Sequence, residues 1–374
     1  MAIALGFGTA PAVALDFGFA APGAPDSFGA RLRDASLSLS TAQAEGSTAQ
    51  DLLAAAQADY GRLTGVLYAA GYYTGVVRIR VNGQEAASIP PLRAPEQIDR
   101  IDIIVERGPS FTFNRARVAP LAPGTQLPEG FATGQPAKGQ LIGDATRTSI
   151  TAWRDAGHAK ADVDAQTVIA DHATQSLDAD ITLDPGPRLR FGTLRIEEDA
   201  RPSRVRETRI REIAGLPTGR VYSPAERERA ANRLRRTGAF RSVVMRDADT
   251  PNPDGTLDMR TQVVDAKPRR IGVGAELSSL EGITLSGFWL HRNLLGGAER
   301  LRLDAMIGGI GGDSGGEDFR LGARLDRPAT FTPDTGAFLL ANIEDNNEPD
   351  YSERKAEIGG GLTHIFSDEL TGEA

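Results

Sequence analysis

The sequence predicts an α+β chain that turns all-β. Three tandem strand–helix–helix–strand–strand units occupy residues 15–108, 109–187 and 188–268, and antiparallel strands follow over 269–374. Three observations predict this. A short phrase returns three times at a domain-sized spacing. A glycine that closes a helix and opens a strand travels with it. After Pro268 the periodicity of helices gives way to alternation with period two.

The phrase is VERGPSFTF from Val105, LDPGPRLRF from Leu183 and VDAKPRRIG from Val264, each reading apolar, acid, two variable residues, proline. Pro109, Pro187 and Pro268 lie 78 and 81 residues apart. The second anchor is AGYYTGVVRIRV from Ala70, AGHAKADVDAQTV from Ala156 and TGAFRSVVMRD from Thr237. From Gly157 to Pro187 and from Gly238 to Pro268 the distance is 30 residues, and from Gly71 to Pro109 it is 38, which places the extra residues in NGQEAASIPPLRAPEQ. Units of this length are too long for a solenoid and suit a string of small domains.

In the first unit LDFGF reads as a strand, SFGARLRDASLSL and AQDLLAAAQADYGRLTGVLYAAG as two helices, and VVRIRV and IDRIDIIVE as strands. In the second, FATGQPAKGQLIG leaves little room for a first helix, which is expected to be short or absent. The third unit opens on RLRFGTLRI, where Leu189, Phe191 and Leu194 alternate with polar residues. VRETRIREIAGL and YSPAERERAANRLRRTGAF follow as helices; Ser223, Pro224 and Glu226 make a capping start, and Gly238 a stop. FRSVVMRDAD and TLDMRTQVVD complete it, separated by the turn residues Pro251, Pro253, Asp254 and Gly255. Two helices on one face of a three-stranded sheet bury both amphipathic stripes.

Beyond Pro268, six segments alternate. Leu301, Leu303, Ala305 and Ile307 oppose Arg300, Arg302 and Asp304; Phe319, Leu321, Ala323 and Leu325 oppose Arg320, Arg324 and Asp326. Apolar-out and polar-in alternation is the pattern of an outer-membrane barrel, and one-faced soluble sheets share it. The 106 residues from Arg269 hold about six strands of roughly 10 residues, fewer than the eight or more that close a barrel, so truncation at the C-terminal end is expected.

Composition excludes several classes. A net charge of −8 argues against an electrostatic nucleic-acid binder. No cysteine is present, which removes disulfides and thiolate metal sites. No apolar run approaches the ~18 residues of a membrane-spanning helix. The apolar N-terminus, with Ala12-Val13-Ala14 in an A-x-A pattern, reads as the remnant of a secretory signal over residues 1–14.

No catalytic, cofactor-binding or metal residues are assigned. His158, His172, His291 and His364 share no ligand spacing, and no G-x-S-x-G elbow exists. GGIGGDSGGED, Gly308 to Asp318, lacks the Gly-Lys-Ser/Thr of a phosphate loop and reads as a flexible inter-strand loop. Trp153 is expected to pack on a helix of the middle unit, and Trp289 to be a girdle or pocket aromatic. The arginines of RVRETRIREIAG and AERERAANRLRR read as solvated helix faces.

The repeated order, with its helix-end glycine before a strand, resembles POTRA domains, the periplasmic modules of outer-membrane insertases. GAPDSFGARLRDAS, Gly23 to Ser36, is similar to the opening of the first POTRA of TamA-type proteins. Three repeats match that branch of the BamA-like superfamily. HRNLLGGAERLRL, from His291, resembles the turn between early barrel strands, with Asn293, Gly296 and Gly297 as the turn motif. The late-barrel arginine motif of the family is absent from the chain.

The resemblance implies an assembly factor rather than an enzyme, seated in a bacterial outer membrane with its POTRA domains in the periplasm. Unfolded outer-membrane or autotransporter clients and a TamB-like, inner-membrane-anchored partner would be its partners, with no nucleic acid and no cofactor. An exposed sheet edge can pair with an extended client through main-chain hydrogen bonds. The edges expected are Val76–Val81, Ala161–Val168 and Arg241–Arg246, represented by Val76, Val77, Ile79, Val163, Val243 and Val244. The first barrel strand, Gly272 to Ser279, would form the seam at Gly272, Val273, Gly274 and Ala275, its glycines suiting a weakly anchored strand. Two rivals stand beside this reading: a two-partner secretion transporter, which would carry two POTRA domains, and a soluble periplasmic POTRA scaffold.

Overall fold

A computed structural model describes residues 15–197, 202–312, 315–348, 350–367 and 369–374. The signal-like segment over residues 1–14 lies outside them. Contacts divide the chain into two units, one of residues 15–152 and 161–185, the other of Trp153–Lys160 and Gly186–Ala374.

The first unit opens with β1 (Asp16–Ala20), α1 (Asp26–Ala35), α2 (Leu37–Gln43), α3 (Ala49–Ala69), β2 (Val76–Val81), β3 (Gln84–Glu85) and β4 (Arg100–Glu106). The sheet order is β1-β4-β2-β3, with β1 parallel to β4 and β2 antiparallel to it. Leu32, Leu53, Leu63 and Leu67 from the helices close on Ile79, Ile101, Ile103 and Val105. The helix expected over SFGARLRDASLSL breaks in two at Ser36. Its hydroxyl accepts from Leu39 N and donates to Asp59 of α3. The Asp59 carboxylate, fully buried, also accepts from Leu37 N, Ser38 N and Ser38 Oγ, so an anion from α3 satisfies the open N-terminus of α2.

Next come β5 (Thr112–Ala119), α4 (Gly139–Asp155), β6 (Asp162–Asp171) and β7 (Ser176–Asp184), in the order β5-β7-β6. No helix precedes α4 here. The loop that replaces it buries Phe131, which packs edge-on against Phe113 of β5 at 5.4 Å, so one ring covers part of the face a helix would have covered.

The second unit holds β8 (Arg190–Ile196), α5 (Glu207–Ala214), α6 (Pro224–Arg236), β9 (Phe240–Asp247) and β10 (Thr256–Asp265), ordered β8-β10-β9. Ile210, Ile213, Ala230 and Leu234 pack on Phe191, Leu257 and Met259. Ser223 precedes α6 without a capping hydrogen bond from its side chain. The glycines of the repeated anchor, Gly71, Gly157 and Gly238, have φ of 91°, 102° and 68°. A left-handed residue is what lets each chain leave its helix and turn back into a strand.

From Arg269 a meander of seven strands runs in sequence order: β11 (Arg269–Ser278), β12 (Gly282–His291), β13 (Arg300–Ile310), β14 (Asp318–Arg327), β15 (Thr335–Glu348), β16 (Tyr351–Ile365) and β17 (Thr371–Glu373). The sequence predicts about six; β17 is too short to register as a periodic segment. The expected first strand also begins earlier, at Arg269. Pairing aligns the alternation. Ile271, Trp289, Leu303, Ala323, Ala341 and Ile358 form one continuous cross-strand row, while Leu290, Arg302, Arg324 and Leu340 form a row on the opposite face. The fold is thus POTRA-like α/β domains followed by a large antiparallel sheet consistent with part of a barrel. The expected GGIGGDSGGED loop falls between β13 and β14, and residues 313 and 314 within it lie outside the described set.

Candidate functional site: strand edges, a first strand and a docked junction

The three edges are unequal. β2 is not the end of its sheet, because β3 pairs with Arg80 and Val81. Ile79 is buried, its N–H meets Glu85 Oε1 and its carbonyl accepts from Tyr60, so its backbone is occupied. Val76 and Val77 lie outside the β3 pairing. A two-residue strand in the NGQE turn carries no readable period, which is why the sequence misses it.

β6 and β9 do end their sheets among the described residues. β6 is ten residues long, with a bulge between Val163 and Ala165, and residues 164–169 are exposed. Ile169, one step beyond the expected range, is 59% exposed. The adjacent pair Val168-Ile169 could have found it, since consecutive apolar residues in a strand put one on each face. On β9 the Val243 side chain is buried and its carbonyl accepts from Arg235, while Val244 is half-buried. Side-chain access on this edge is narrower than its sequence suggests.

β11 is the end strand of the seven-stranded sheet and pairs with β12 alone among the described residues. Val273 is 88% exposed, and Ile271, Ala275 and Leu277 share its face. Gly272 and Gly274 lie on the other face. At Gly272 the Phe288 ring of β12 occupies the space where a Cβ would stand, and Arg302 lies over that ring at 4.5 Å. The same arrangement recurs at Gly361, Phe338 and Arg324, with the guanidinium 4.1 Å from the ring centre. An aromatic covering a cross-strand glycine anchors the ladder.

The turn motif docks as well as turns. Asn293 Oδ1 accepts from Ala298 N at 2.9 Å, its amide donates to Arg204 O at 2.8 Å, and Gly296 has φ 80° and accepts from Arg206 N. Gly297 leaves room for the buried Glu299, which accepts from Gly297 N and Leu295 N. The next turn on the same side of the sheet, between β14 and β15, meets α5 and α6. Arg233 binds Asp334 with both arms, at 2.8 and 2.5 Å, and donates to the carbonyls of Ala214 and Gly215 at the end of α5. Arg209 donates to Pro328 O at 2.7 Å. Pro333 seats against Gly215, where any Cβ would collide with it. The Arg233 hydrogen bonds hold the Asp334 carboxyl below the usual carboxylate range.

These arginines correct the reading of solvated helix faces. Arg209 and Arg233 are largely buried, with side chains 7% and 11% exposed. A signal existed in Arg209, four residues before the core Ile213, and in Arg233, three after the core Ala230, both on the border of the apolar stripe. Their partners lie 119 and 101 residues away along the chain, beyond any periodic pattern.

The histidines stand apart. His158 Nδ1 is 2.8 Å from Gly186 O and its ring is edge-on to Trp153; His172 packs on Phe111, His291 near Trp289 and His364 on Phe366. Among the described residues no cluster of three side chains could hold a metal, and no helix is long and apolar enough to cross a membrane.

No protein-family model matches the chain, and no curated protein matches it. Among solved structures, BamA from Haemophilus ducreyi lacking POTRA domains 1–3 is similar over 68% of this chain and 47% of its own, with TM-score 0.53 and 18% identity. POTRA domains 3–5 of Haemophilus influenzae BamA align over 68% of this chain and 96% of theirs, with TM-score 0.45 and 16% identity. CdiB from Escherichia coli aligns over 69% and 57%, with TM-score 0.32 and 14% identity. At such identities the likeness shows fold, and only the first is close enough to bear on it. This chain spans about half the length of that BamA chain.

Proposed function

We propose that this chain is the POTRA region and early barrel of an outer-membrane assembly factor of the BamA-like insertase class, of the TamA type. The observation that carries the proposal is the seven-stranded sheet. One of its faces carries an in-register apolar row, Ile271, Trp289, Leu303, Ala323, Ala341 and Ile358, and on that face Ile358, Val273 and Leu277 are all more than 80% exposed. A soluble protein rarely leaves so large an apolar face open, whereas lipid covers it at no cost. Strands β11 to β14, of 10 or 11 residues, have the length of tilted strands that cross a bilayer.

On this reading the protein is not an enzyme. Extended clients, unfolded outer-membrane or autotransporter chains, pair with the edges of β6 and β9 in the periplasm, where main-chain hydrogen bonds give affinity without a strict sequence. They then reach β11, the end strand of the sheet. A TamB-like protein anchored in the inner membrane would deliver them. The test places a photo-crosslinking residue at Val273 in cells carrying the full-length protein. Client adducts at Val273, lost in an Ala275→Pro variant whose POTRA domains still fold, are expected. A variant that inserts clients normally removes the seam role of β11.

A further inference from the structure

Where the third POTRA-like domain meets the β11–β12 hairpin, a cavity of about 370 Å³ opens. Arg204, Arg269, His291, Arg292 and Asn293 line it. Its one acid, Asp265, is already engaged: Ser203 donates to it at 2.6 Å, and Arg204 through backbone N–H and Nε at 2.9 and 3.2 Å. Arg269 is exposed and lines the cavity beside Arg292. Arg292 donates one Nη1 hydrogen to Lys267 O and keeps its other donors. Asn293 N–H donates to His291 Nδ1 at 3.4 Å, which leaves Nε2 as the ring nitrogen that carries the proton. A cavity with this lining has donors in excess and no free acceptor charge, so it suits an anion.

The surroundings say which anion. Arg269 pairs directly with His291 across the ladder, and the next pair on the same face is Ile271 with Trp289. Cations and an indole therefore stand at one end of the apolar row, next to the exposed Ile271 and Val273. An amphiphile with an anionic phosphate head and acyl chains matches both halves at once: guanidinium forks bind phosphate, and an indole sits where headgroup gives way to hydrocarbon.

We infer that this cavity is a phospholipid site which selects an anionic headgroup in the leaflet facing the POTRA-like domains. The inference rests on the reading of β11–β17 as membrane-spanning. Bound here, one lipid joins the docked domain to the first strand of the sheet, through Arg204 on one side and Arg269 on the other.

The full-length protein is reconstituted in phosphatidylcholine vesicles and challenged with phosphatidylglycerol. Native mass spectrometry of the solubilised protein then counts retained lipid. At least one phosphatidylglycerol is expected to survive where phosphatidylcholine is stripped. Arg269→Gln with Arg292→Gln should lower retention about tenfold, and the double lysine variant should keep it, which separates lost charge from lost folding. Equal retention of the two lipids, or no effect of the double glutamine variant, overturns the inference. Displacement by millimolar inorganic phosphate overturns it too, because the site would then take a free anion. Protease protection in the phosphatidylcholine vesicles reads the underlying premise. A protein that does not embed defeats the membrane reading and the lipid site together; one that embeds without headgroup preference defeats the lipid site alone.

Discussion

Replacing Arg233 by alanine should undock the turn between β14 and β15 from the third POTRA-like domain. Four hydrogen bonds go at once: two to Asp334 and two to the α5 carbonyls. Hydrogen bonds to charged groups contribute roughly 1.5–3 kcal/mol each, and breaking a fully buried pair costs about 3–5 kcal/mol. Two features lower the figure here. Asp334 keeps 28% of its side chain in water, and Arg236 stands 3.7 Å away to replace part of the lost charge. A net loss of about 2 kcal/mol follows, which is ~30-fold in the opening equilibrium. Amide hydrogen exchange at Thr330 and Thr335, whose N–H groups bond inside this turn, reads that opening directly. Asp334→Ala should give a similar loss, and the double variant little more than either single. The depressed Asp334 pKa sets the pH window: the stabilisation is present above the ordinary carboxylate value of about 3.9 and is lost as pH falls through the lower folded value. Protection corrected for intrinsic rates should therefore stay level from pH 7 to about 5 and fall only below about 4. Unchanged protection at Thr330 and Thr335 in both single variants would refute the latch.

Other perturbations test other parts of the molecule. Asp59→Ala strands four buried or half-buried donors at the α1–α2 break and should cost about 3–5 kcal/mol, read as a lower urea midpoint for the first POTRA-like domain by circular dichroism; an unmoved midpoint contradicts the role given to Asp59. Gly272→Leu drives a side chain into the Phe288 ring and should destabilise the β11–β12 pairing by about 1–3 kcal/mol. A thermal scan in micelles that matches the parent protein would show that the glycine is not a seat for the ring. Val273→Pro removes one β11 N–H while leaving the POTRA-like domains untouched, so client insertion should fail with the thermal transition of those domains retained.

Much of the architecture was legible in one dimension because its causes are local. The left-handed glycines at 71, 157 and 238 mark three helix ends at a repeated distance from a proline. Alternation over β11 to β16 declares two unlike faces, and pairing in the β-ladder then aligns them row on row. Even the missing first helix of the repeat over residues 109–187 could be foreseen from its glycines and prolines, although the use of Phe131 in its place could not.

What the linear sequence determined by itself was the order of the elements, the kinship of the three units and the polarity of the sheet, since each depends on neighbours within a few residues. Tertiary structure alone decided which edges stay open, that Phe288 fills Gly272, and that Arg209, Arg233 and Asn293 hold the turns rather than face water. The physical reason is distance along the chain. An arginine beside an apolar stripe is solvated or buried according to whether a carboxylate or a free carbonyl lies opposite, and here those partners come from turns that only folding brings within 3 Å.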